Sequence, residues 1–170
     1  MDQAQRRQWL QWTLALALRI GGEVLLPRQP RQGPPAGLRK KGVRDLVTEA
    51  DEASEHAIVS ALRKRFPAHA IVAEEQVRER ARPEGWRWYV DPLDGTVNFV
   101  HGLPLWSVSI ACYGPAGGEL GVVYAPALGE CFFAARGLGA FAGTGLQDAE
   151  RIAVTDEGEL IEALLVTGFA

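Results

Sequence analysis

Two acidic residues stand three positions apart in one short stretch of the sequence, Asp91-Pro92-Leu93-Asp94. The residues before it, 86–90, are strongly β-prone, so Asp91 is expected where a strand ends. Asp-Pro-x-Asp suits a type I turn with proline at its second position, which would bring Asp91 and Asp94 together. Such a turn would also leave the Leu93 carbonyl without a ladder partner. Two carboxylates and a free carbonyl are the oxygen ligands that hard divalent cations prefer.

Gly95-Thr96 follows this stretch directly and is predicted to open a helical turn. The free backbone amides at the start of a helical turn can bind an anion such as phosphate. A cation site and a phosphate site would then be adjacent, which is the chemistry of metal-assisted phosphate ester hydrolysis. The five residues 91–95 also fit an ordinary tight turn, and taken alone they favour that simpler interpretation.

Acids occur at two further places that matter. The apolar run Ala70–Ala73 is predicted to be a buried strand and leads into Glu74-Glu75. Two acids at a strand end are costly unless a cation balances them, although a solvated loop is the alternative, because 76–85 is highly charged. Asp51 stands three residues after Thr48 and fits a helix-capping arrangement, which is the interpretation that the residues alone favour.

The longer stretch 91–104, DPLDGTVNFVHGLP, resembles the hallmark motif of the inositol monophosphatase family, magnesium-dependent and lithium-sensitive sugar phosphatases. The resemblance covers roughly Lys40 to Phe169. It implies an α+β fold, an antiparallel β-sheet with two long N-terminal helices packed on it, the N-terminal half of an αβαβα sandwich. Family members continue into an α/β domain, so 1–170 is interpreted as the N-terminal metal- and phosphate-binding domain with that C-terminal domain absent.

The resemblance also implies how Mg²⁺ would be bound. One ion would be held by Glu74, Asp91 and the Leu93 carbonyl, with Ala73 standing where the family more often has glycine. A second ion would be held by Asp91, Asp94 and an aspartate of a Trp-Asp motif in the absent domain. This chain has no Trp-Asp pair. Glu75 is the weaker metal-ligand candidate.

Catalytic and phosphate-binding roles are implied in the same way. Glu74 and Thr96 would orient and deprotonate the attacking water, and Asp51 would hold the threonine hydroxyl. The backbone amides of Gly95 and Thr96 would bind the phosphoryl oxygens. A mobile loop would carry a lysine five positions before Asp45, which is Lys40, although Lys41 beside it is an alternative.

The function expected from the resemblance is hydrolysis of inositol monophosphate or a related small sugar-alcohol phosphate, inactive or impaired in this chain alone. Histidinol phosphate, fructose bisphosphate or a nucleotide bisphosphate are alternative substrates, and a non-catalytic metal-binding remnant is the alternative outside enzymes. Besides the small phosphorylated substrate, the full-length protein is expected to pair as a homodimer. Neither nucleic acid nor a membrane is expected as a partner.

Composition sets the general class of protein. The 170 residues are 47% hydrophobic and 23% charged with a net charge of −3, typical of one soluble globular domain without a nucleic-acid footprint. The two cysteines, Cys112 and Cys131, lie in apolar runs and are predicted to be reduced core thiols. No segment is long enough to span a membrane, and a cytoplasmic location is expected.

The elements that must position the site can be read from periodicity. Helices are predicted over 3–26, in preference to a twin-arginine signal at Arg6-Arg7, and from Thr48 to Phe66. Basic residues with prolines and glycines predict an exposed connection over 28–41. After the central motif, 105–113, 119–125 and 130–135 are predicted strands of an antiparallel meander. Bends around 137–141 and further strands at 151–154 and 163–167 complete the prediction.

Overall fold

The computed structural model describes residues 1–30, 39–40, 46–74 and 85–164, with backbone alone at 39–40 and 46–47. Helix α1 spans Gln3–Arg19 and begins where the Asp2 carboxylate accepts a hydrogen bond from the Gln5 N–H, at 2.8 Å. Its buried side chains recur at helical spacing and face the sheet. The predicted helical signal of 3–26 is confirmed as helical, although not as one continuous α-helix.

Helix α1 continues as a π-helix over Ile20–Leu25 and then as a 3-10 turn over Leu26–Arg28. A Cβ atom added at Gly21 would lie 2.5 Å from both the Pro126 Cγ and the Tyr124 Cδ1. The π-helix therefore brings bare backbone against the sheet where a side chain would not fit. Sequence periodicity does not distinguish this wider turn from an ordinary helix.

Helix α2 spans Glu49–Arg65 and is capped by Thr48, with the reciprocal bonds of a capping box to Asp51. Its first turn is acidic and its last turn is basic, an arrangement that stabilises the helix dipole. The helix ends before Pro67, as predicted. A two-stranded ribbon, β1 (Arg39–Lys40) and β2 (Leu46–Val47), precedes it.

In the described part of the chain, seven strands form one sheet in sequence order. They are β3 (Ala70–Ala73), β4 (Arg87–Asp94), β5 (Ser107–Gly114), β6 (Gly117–Ala125), β7 (Glu130–Ala135), β8 (Gly139–Ala142) and β9 (Glu150–Ile152). All neighbours are antiparallel except β3 and β4, which are parallel. The predicted meander is confirmed. The first pair differs from the predicted antiparallel sheet. The stretch predicted as bends at 137–141 begins in a turn and continues into strand β8.

The core lies between the two helices and one side of the sheet, here called the helix face. Helix α1 packs on β5, β6 and β7, and α2 packs on β3 and β4. Alternate strand residues such as Trp88, Val90, Ile110 and Val122 are buried there. Cys112 and Cys131 are free and buried among them, as predicted, and burial raises the pKa of each thiol to about 12.

An aromatic cluster closes one end of this core. The His69 ring is stacked between Phe66 and Trp86, with centroid distances of 5.0 Å and 5.6 Å. The Trp88 indole N–H donates to the Nδ1 atom of His69 at 3.1 Å. Because Nδ1 is an acceptor here, this geometry requires the neutral imidazole.

The opposite side of the sheet, here called the open face, has no helix packed on it among the described residues. Its alternate side chains include large apolar groups that are 39–44% exposed, namely Tyr89, Tyr113, Val123 and Phe132. A shallow, mostly apolar depression of about 300 Å³ runs across β5 to β9 on this side. Within the described ranges, no helix is long and apolar enough to cross a membrane.

Candidate active site

A β-bulge in strand β4 builds the centre of the candidate site. Asp91 is paired with Ser109 and Asp94 with Ser107, so two residues of β4, Pro92 and Leu93, lie opposite one residue of β5. Strict alternation would send Asp91 and Asp94 to opposite faces, because they are three positions apart. The extra residue shifts the alternation by one, and register places both acids on the open face.

The predicted type I turn at 91–94 is wrong, because β4 continues through these residues to Asp94. Proline is tolerated there because a bulge leaves a backbone position outside the ladder, where the missing N–H costs nothing. The displaced backbone groups find other partners. The Pro92 carbonyl accepts from the Ser54 hydroxyl at 2.7 Å, and the Leu93 N–H donates to Asp91 Oδ1 at 3.2 Å.

A short helix, α3 (Thr96–Val100), begins directly after the bulge, as predicted. Gly95 precedes it with a φ of +89°, and a Cβ atom there would lie 2.8 Å from the Leu105 carbonyl oxygen. Both the left-handed backbone and the close approach therefore require glycine. The turn places the Thr96 hydroxyl 3.1 Å from the Leu93 carbonyl oxygen near the end of β4.

Three acids act on one another at this end of the sheet. Glu74 follows β3 and lines an open cleft of about 470 Å³ together with Asp91. Burial, the charge of Glu74, its hydrogen bond to Asp91 and the charge of Asp94 raise the pKa of Asp91 to about 8. The Leu93 N–H opposes this shift in part. The Asp91 carboxyl is thus buried and crowded by like charges.

Asp51, at the start of α2, contacts Thr96 through a side-chain hydrogen bond. The Thr96 hydroxyl lies 2.9 Å from Asp51 Oδ1 and 3.1 Å from the Leu93 carbonyl oxygen, and either can accept its proton. Asp51 is 1% exposed, and its other oxygen accepts from Thr48. Asp51 is therefore both the helix cap and the partner of Thr96.

The remaining predicted residues fall partly outside the described side chains. Lys40 has a described backbone in β1, paired with Leu46, but its side chain is outside the described set. Glu75, Lys41 and the strand predicted at 163–167 lie wholly or mainly outside the described residues. In the described part of the chain, no group of three His, Cys, Asp or Glu side chains is arranged to hold a metal ion.

Ser54 supports the bulge of the candidate site, and the sequence did not predict this role. Its side chain is buried and bridges α2 to the Pro92 carbonyl in the bulge. The only available signal was a small polar residue on the inward side of an amphipathic helix, between Ala50 and Ile58. That signal does not identify a partner 38 residues away.

Comparison with known proteins gives a consistent assignment. The model of the inositol monophosphatase family matches residues 6–170. A fructose-1,6-bisphosphatase/inositol-1-monophosphatase of Thermotoga maritima is 44% identical over 131 residues, 76% of this chain and 48% of the relative. The Nus factor SuhB of Pseudomonas aeruginosa is 41% identical, covering 90% of this chain and 55% of the relative.

Solved structures agree in fold. The IMPase of Thermotoga maritima matches with a TM-score of 0.76 at 39% identity, over 88% of this chain and 54% of that one. The inositol monophosphatase of Anabaena matches with a TM-score of 0.72 at 32% identity, over 91% and 52%. The chain spans about half the length of the curated relatives it matches.

Proposed function

The chain belongs to the inositol monophosphatase family, and from that membership we propose that it forms the cation- and phosphate-binding part of a phosphomonoesterase. The proposed substrate is inositol monophosphate or a related small sugar-alcohol phosphate. One observation supports this most strongly. The crowded carboxyl of Asp91 and the Thr96 hydroxyl beside Asp51 both contact the backbone of Leu93, Asp91 through its N–H and Thr96 through its carbonyl.

The residues fit a divalent cation such as Mg²⁺. A carboxyl whose pKa is raised to about 8 by neighbouring acids is in the electrostatic condition that a bound cation relieves. Glu74, Asp91 and the Leu93 carbonyl would hold one ion, and Asp91 with Asp94 would contribute to a second. When bound, such ions supply Lewis acidity, which acidifies water and neutralises charge on a phosphate ester.

The protein groups would orient the reactants. If the Thr96 hydroxyl donates its proton to Asp51, its oxygen is left as an acceptor for the attacking water. Glu74 would accept the proton of that water, acting as a general base. The amides of Gly95 and Thr96 would bind the phosphoryl oxygens, because the first amides of a helix have no carbonyl partner within it.

Activity of these 170 residues alone is expected to be weak. The second ion would draw on Asp91 and Asp94, and magnesium held by few fixed oxygens binds poorly. In the described residues no further carboxylate completes that set. Weak binding of this ion would remove stabilisation of the leaving oxygen, and electrostatic stabilisation of this kind is a major part of the rate enhancement in such reactions.

The test measures cation binding and hydrolysis together in the chain of residues 1–170. Mn²⁺ binding is followed by electron paramagnetic resonance, and phosphate release from inositol monophosphate is measured with and without Mg²⁺. Asp91→Asn should weaken Mn²⁺ binding at least about tenfold and abolish any Mg²⁺-dependent release. The matched control is Glu130→Gln, an exposed acid of β7. Absence of Mn²⁺ binding, or equal effects of the two variants, would contradict the proposal.

The same phosphate-release assay can compare inositol monophosphate with other phosphate esters as substrates. The name of the Thermotoga maritima relative includes fructose-1,6-bisphosphate, so that ester is the first competitor. Histidinol phosphate and a nucleotide bisphosphate are the other two. If kcat/KM for any of these is about ten times that for inositol monophosphate or more, that ester replaces inositol monophosphate as the proposed substrate. The proposed reaction, hydrolysis of a phosphate ester, would be unchanged.

A non-catalytic binding role is the second candidate. The Pseudomonas aeruginosa relative is named a Nus factor, and that name states no phosphatase activity. The observation that favours this role is that no described group of three side chains is arranged to hold a metal ion. Under this alternative the chain would release no phosphate from inositol monophosphate with or without Mg²⁺, even if it binds Mn²⁺.

A further inference from the structure

Thr48 makes more contacts than a helix cap requires. It follows β2 and is fully buried, at 0% exposure. Its hydroxyl accepts from the Ala50 N–H at 3.1 Å, which is the capping bond. The same hydroxyl donates to Asp51 Oδ2 at 2.6 Å, and the Thr48 N–H donates to that oxygen at 2.8 Å. The Thr48 hydroxyl therefore donates its single hydrogen bond to Asp51 Oδ2.

These bonds divide the two oxygens of Asp51 between two threonines. Oδ2 is occupied by Thr48, and Oδ1 is left to face the Thr96 hydroxyl at 2.9 Å. A short O–H···O⁻ bond to a buried carboxylate is among the stronger hydrogen bonds in proteins, so it restricts rotation of the carboxylate. The orientation of Asp51 toward Thr96 therefore depends on Thr48.

An ordinary cap accounts for only part of this geometry. In a capping box, the cap hydroxyl accepts a backbone N–H and the third helical residue bonds back to the cap backbone. Neither bond requires the two side chains to join, nor a third side chain beyond the helix. Asp2, the cap of α1, shows the simpler case, since its carboxylate accepts from the Gln5 N–H at the start of its own helix.

We propose that Thr48 is a positioning residue for Thr96, acting through Asp51. The Thr48 hydroxyl fixes the orientation of the Asp51 carboxylate so that Oδ1 accepts a hydrogen bond from the Thr96 hydroxyl. The importance of this arrangement for hydrolysis rests on the proposed function, but the arrangement itself is a property of the fold. It can therefore be tested without turnover.

The experiment is a double-mutant cycle on unfolding of the full 170-residue chain in urea. Thr96→Val should lower the folding equilibrium constant about tenfold in the unaltered chain, because a bond to a charged group is lost. In a Thr48→Val background the same change should cost about twofold or less, since the carboxylate is no longer held toward Thr96. Thr48→Ser, which keeps the hydroxyl, should restore the full Thr96→Val effect.

The matched control removes the cap of the other helix. Asp2→Ala removes a helix cap, as Thr48→Val does. The effects of Asp2→Ala and Thr96→Val on the folding equilibrium constant should nevertheless be independent, so that the double variant shows their product. A Thr96→Val effect that is unchanged or larger in the Thr48→Val background would overturn the proposal. If Thr48→Val does not fold, Thr48→Ala takes its place and the same outcomes decide. The cycle reads unfolding, so failure of the proposed phosphatase activity would leave its result intact.

Discussion

At the residue scale, the candidate site is dominated by the cost of ionising Asp91. Its pKa is raised from 3.8 to about 8, first by burial and then by the neighbouring acids, Glu74 before Asp94. A carboxyl with a raised pKa binds its proton more tightly in the folded chain than in the unfolded one. Its contribution to stability is therefore fully present below pH 3.8 and is lost as the pH rises to about 8.

We accordingly predict that the cation-free chain becomes less stable between about pH 6.5 and 8 in the presence of a chelator. Asp91→Asn should flatten this part of the profile, because the amide does not titrate. Urea unfolding across that pH range measures the effect, and Glu130→Gln should leave the slope unchanged. Added Mn²⁺ should reverse the loss in the unaltered chain, since cation binding favours the ionised carboxylate. A flat profile in the unaltered chain would contradict the crowding of Asp91.

His69 gives a pH dependence of opposite sign. Burial lowers its pKa from 6.5, and its Nδ1 accepts the Trp88 indole proton. A base with a lowered pKa stabilises the fold fully above pH 6.5, and that stability is lost as the pH falls through the lowered value.

We predict that His69→Phe removes the loss of stability that sets in as the pH falls below 6.5, while lowering stability at about pH 7. The phenyl ring keeps the stacking but leaves the buried indole N–H without its acceptor, which costs about 1–3 kcal/mol. Unfolding free energies at several pH values measure both effects. The control His56→Gln, at an exposed histidine of α2, should keep the acid slope. An acid slope that survives in His69→Phe would assign it to another group.

Asp91, Asp94, Gly95 and Thr96 of the candidate site could be located at this scale, because they occur in one uninterrupted motif. Their partners could not. Thr48 was visible only as a cap, and Ser54 was not identified at all. Ser54 acquires its role from the 2.7 Å bond that joins α2 to β4. Thr48 acquires its further role because Asp51, which it bonds at 2.6 Å, also lies 2.9 Å from the hydroxyl of Thr96 in α3.

At the element scale, the π-helix after α1 depends on one of two adjacent glycines. We predict that Gly21→Ala destabilises the chain by about 1–3 kcal/mol, because its Cβ would collide with Tyr124 and Pro126. Gly22→Ala is the matched control, since no heavy atom lies within 4 Å of its added Cβ. That change should be neutral or stabilise by up to about 1 kcal/mol. Chemical denaturation of both variants decides, and equal effects would show that the close packing at Gly21 is not needed.

Elements with regular periodicity were predictable and irregular ones were not. Helix α2 and the strands of the meander follow their apolar patterns closely. The bulge in β4 was mistaken for a turn, because Asp-Pro-x-Asp has the same local signals in both structures. What distinguishes them is the neighbouring strand β5, which pairs on both sides of the proline.

At the scale of the whole molecule, the open face leaves a broad apolar surface uncovered by the described residues. Contiguous exposed apolar surface of this kind promotes association in water. We predict that the 170-residue chain self-associates as its concentration rises. Val123→Lys, at the centre of the open face, should weaken this, whereas Val154→Lys at an exposed position outside the strands should not. Sedimentation velocity measures the distribution, and monodisperse monomer at all concentrations would contradict the prediction.

Fold class and helix placement were implied at this scale by the resemblance to the inositol monophosphatase family, and two amphipathic helices followed by a run of strands are consistent with that layered arrangement. The parallel pairing of β3 with β4 was not, since strand direction is set by the connection between them. That connection contains residues 75–84, where a highly charged sequence gives no periodic signal.

The bulge at Pro92 and Leu93 has a consequence for how this sequence can vary. Two residues of β4 lie opposite one residue of β5, so the strand contains one residue more than its partner and still keeps its two faces. Deleting either Pro92 or Leu93 would leave Asp91 and Asp94 two positions apart in a regular strand, on the same face as before. The extra residue is therefore not needed to direct Asp94. Its effect is on the backbone, because the carbonyls of Pro92 and Leu93 accept hydrogen bonds from the hydroxyls of Ser54 and Thr96.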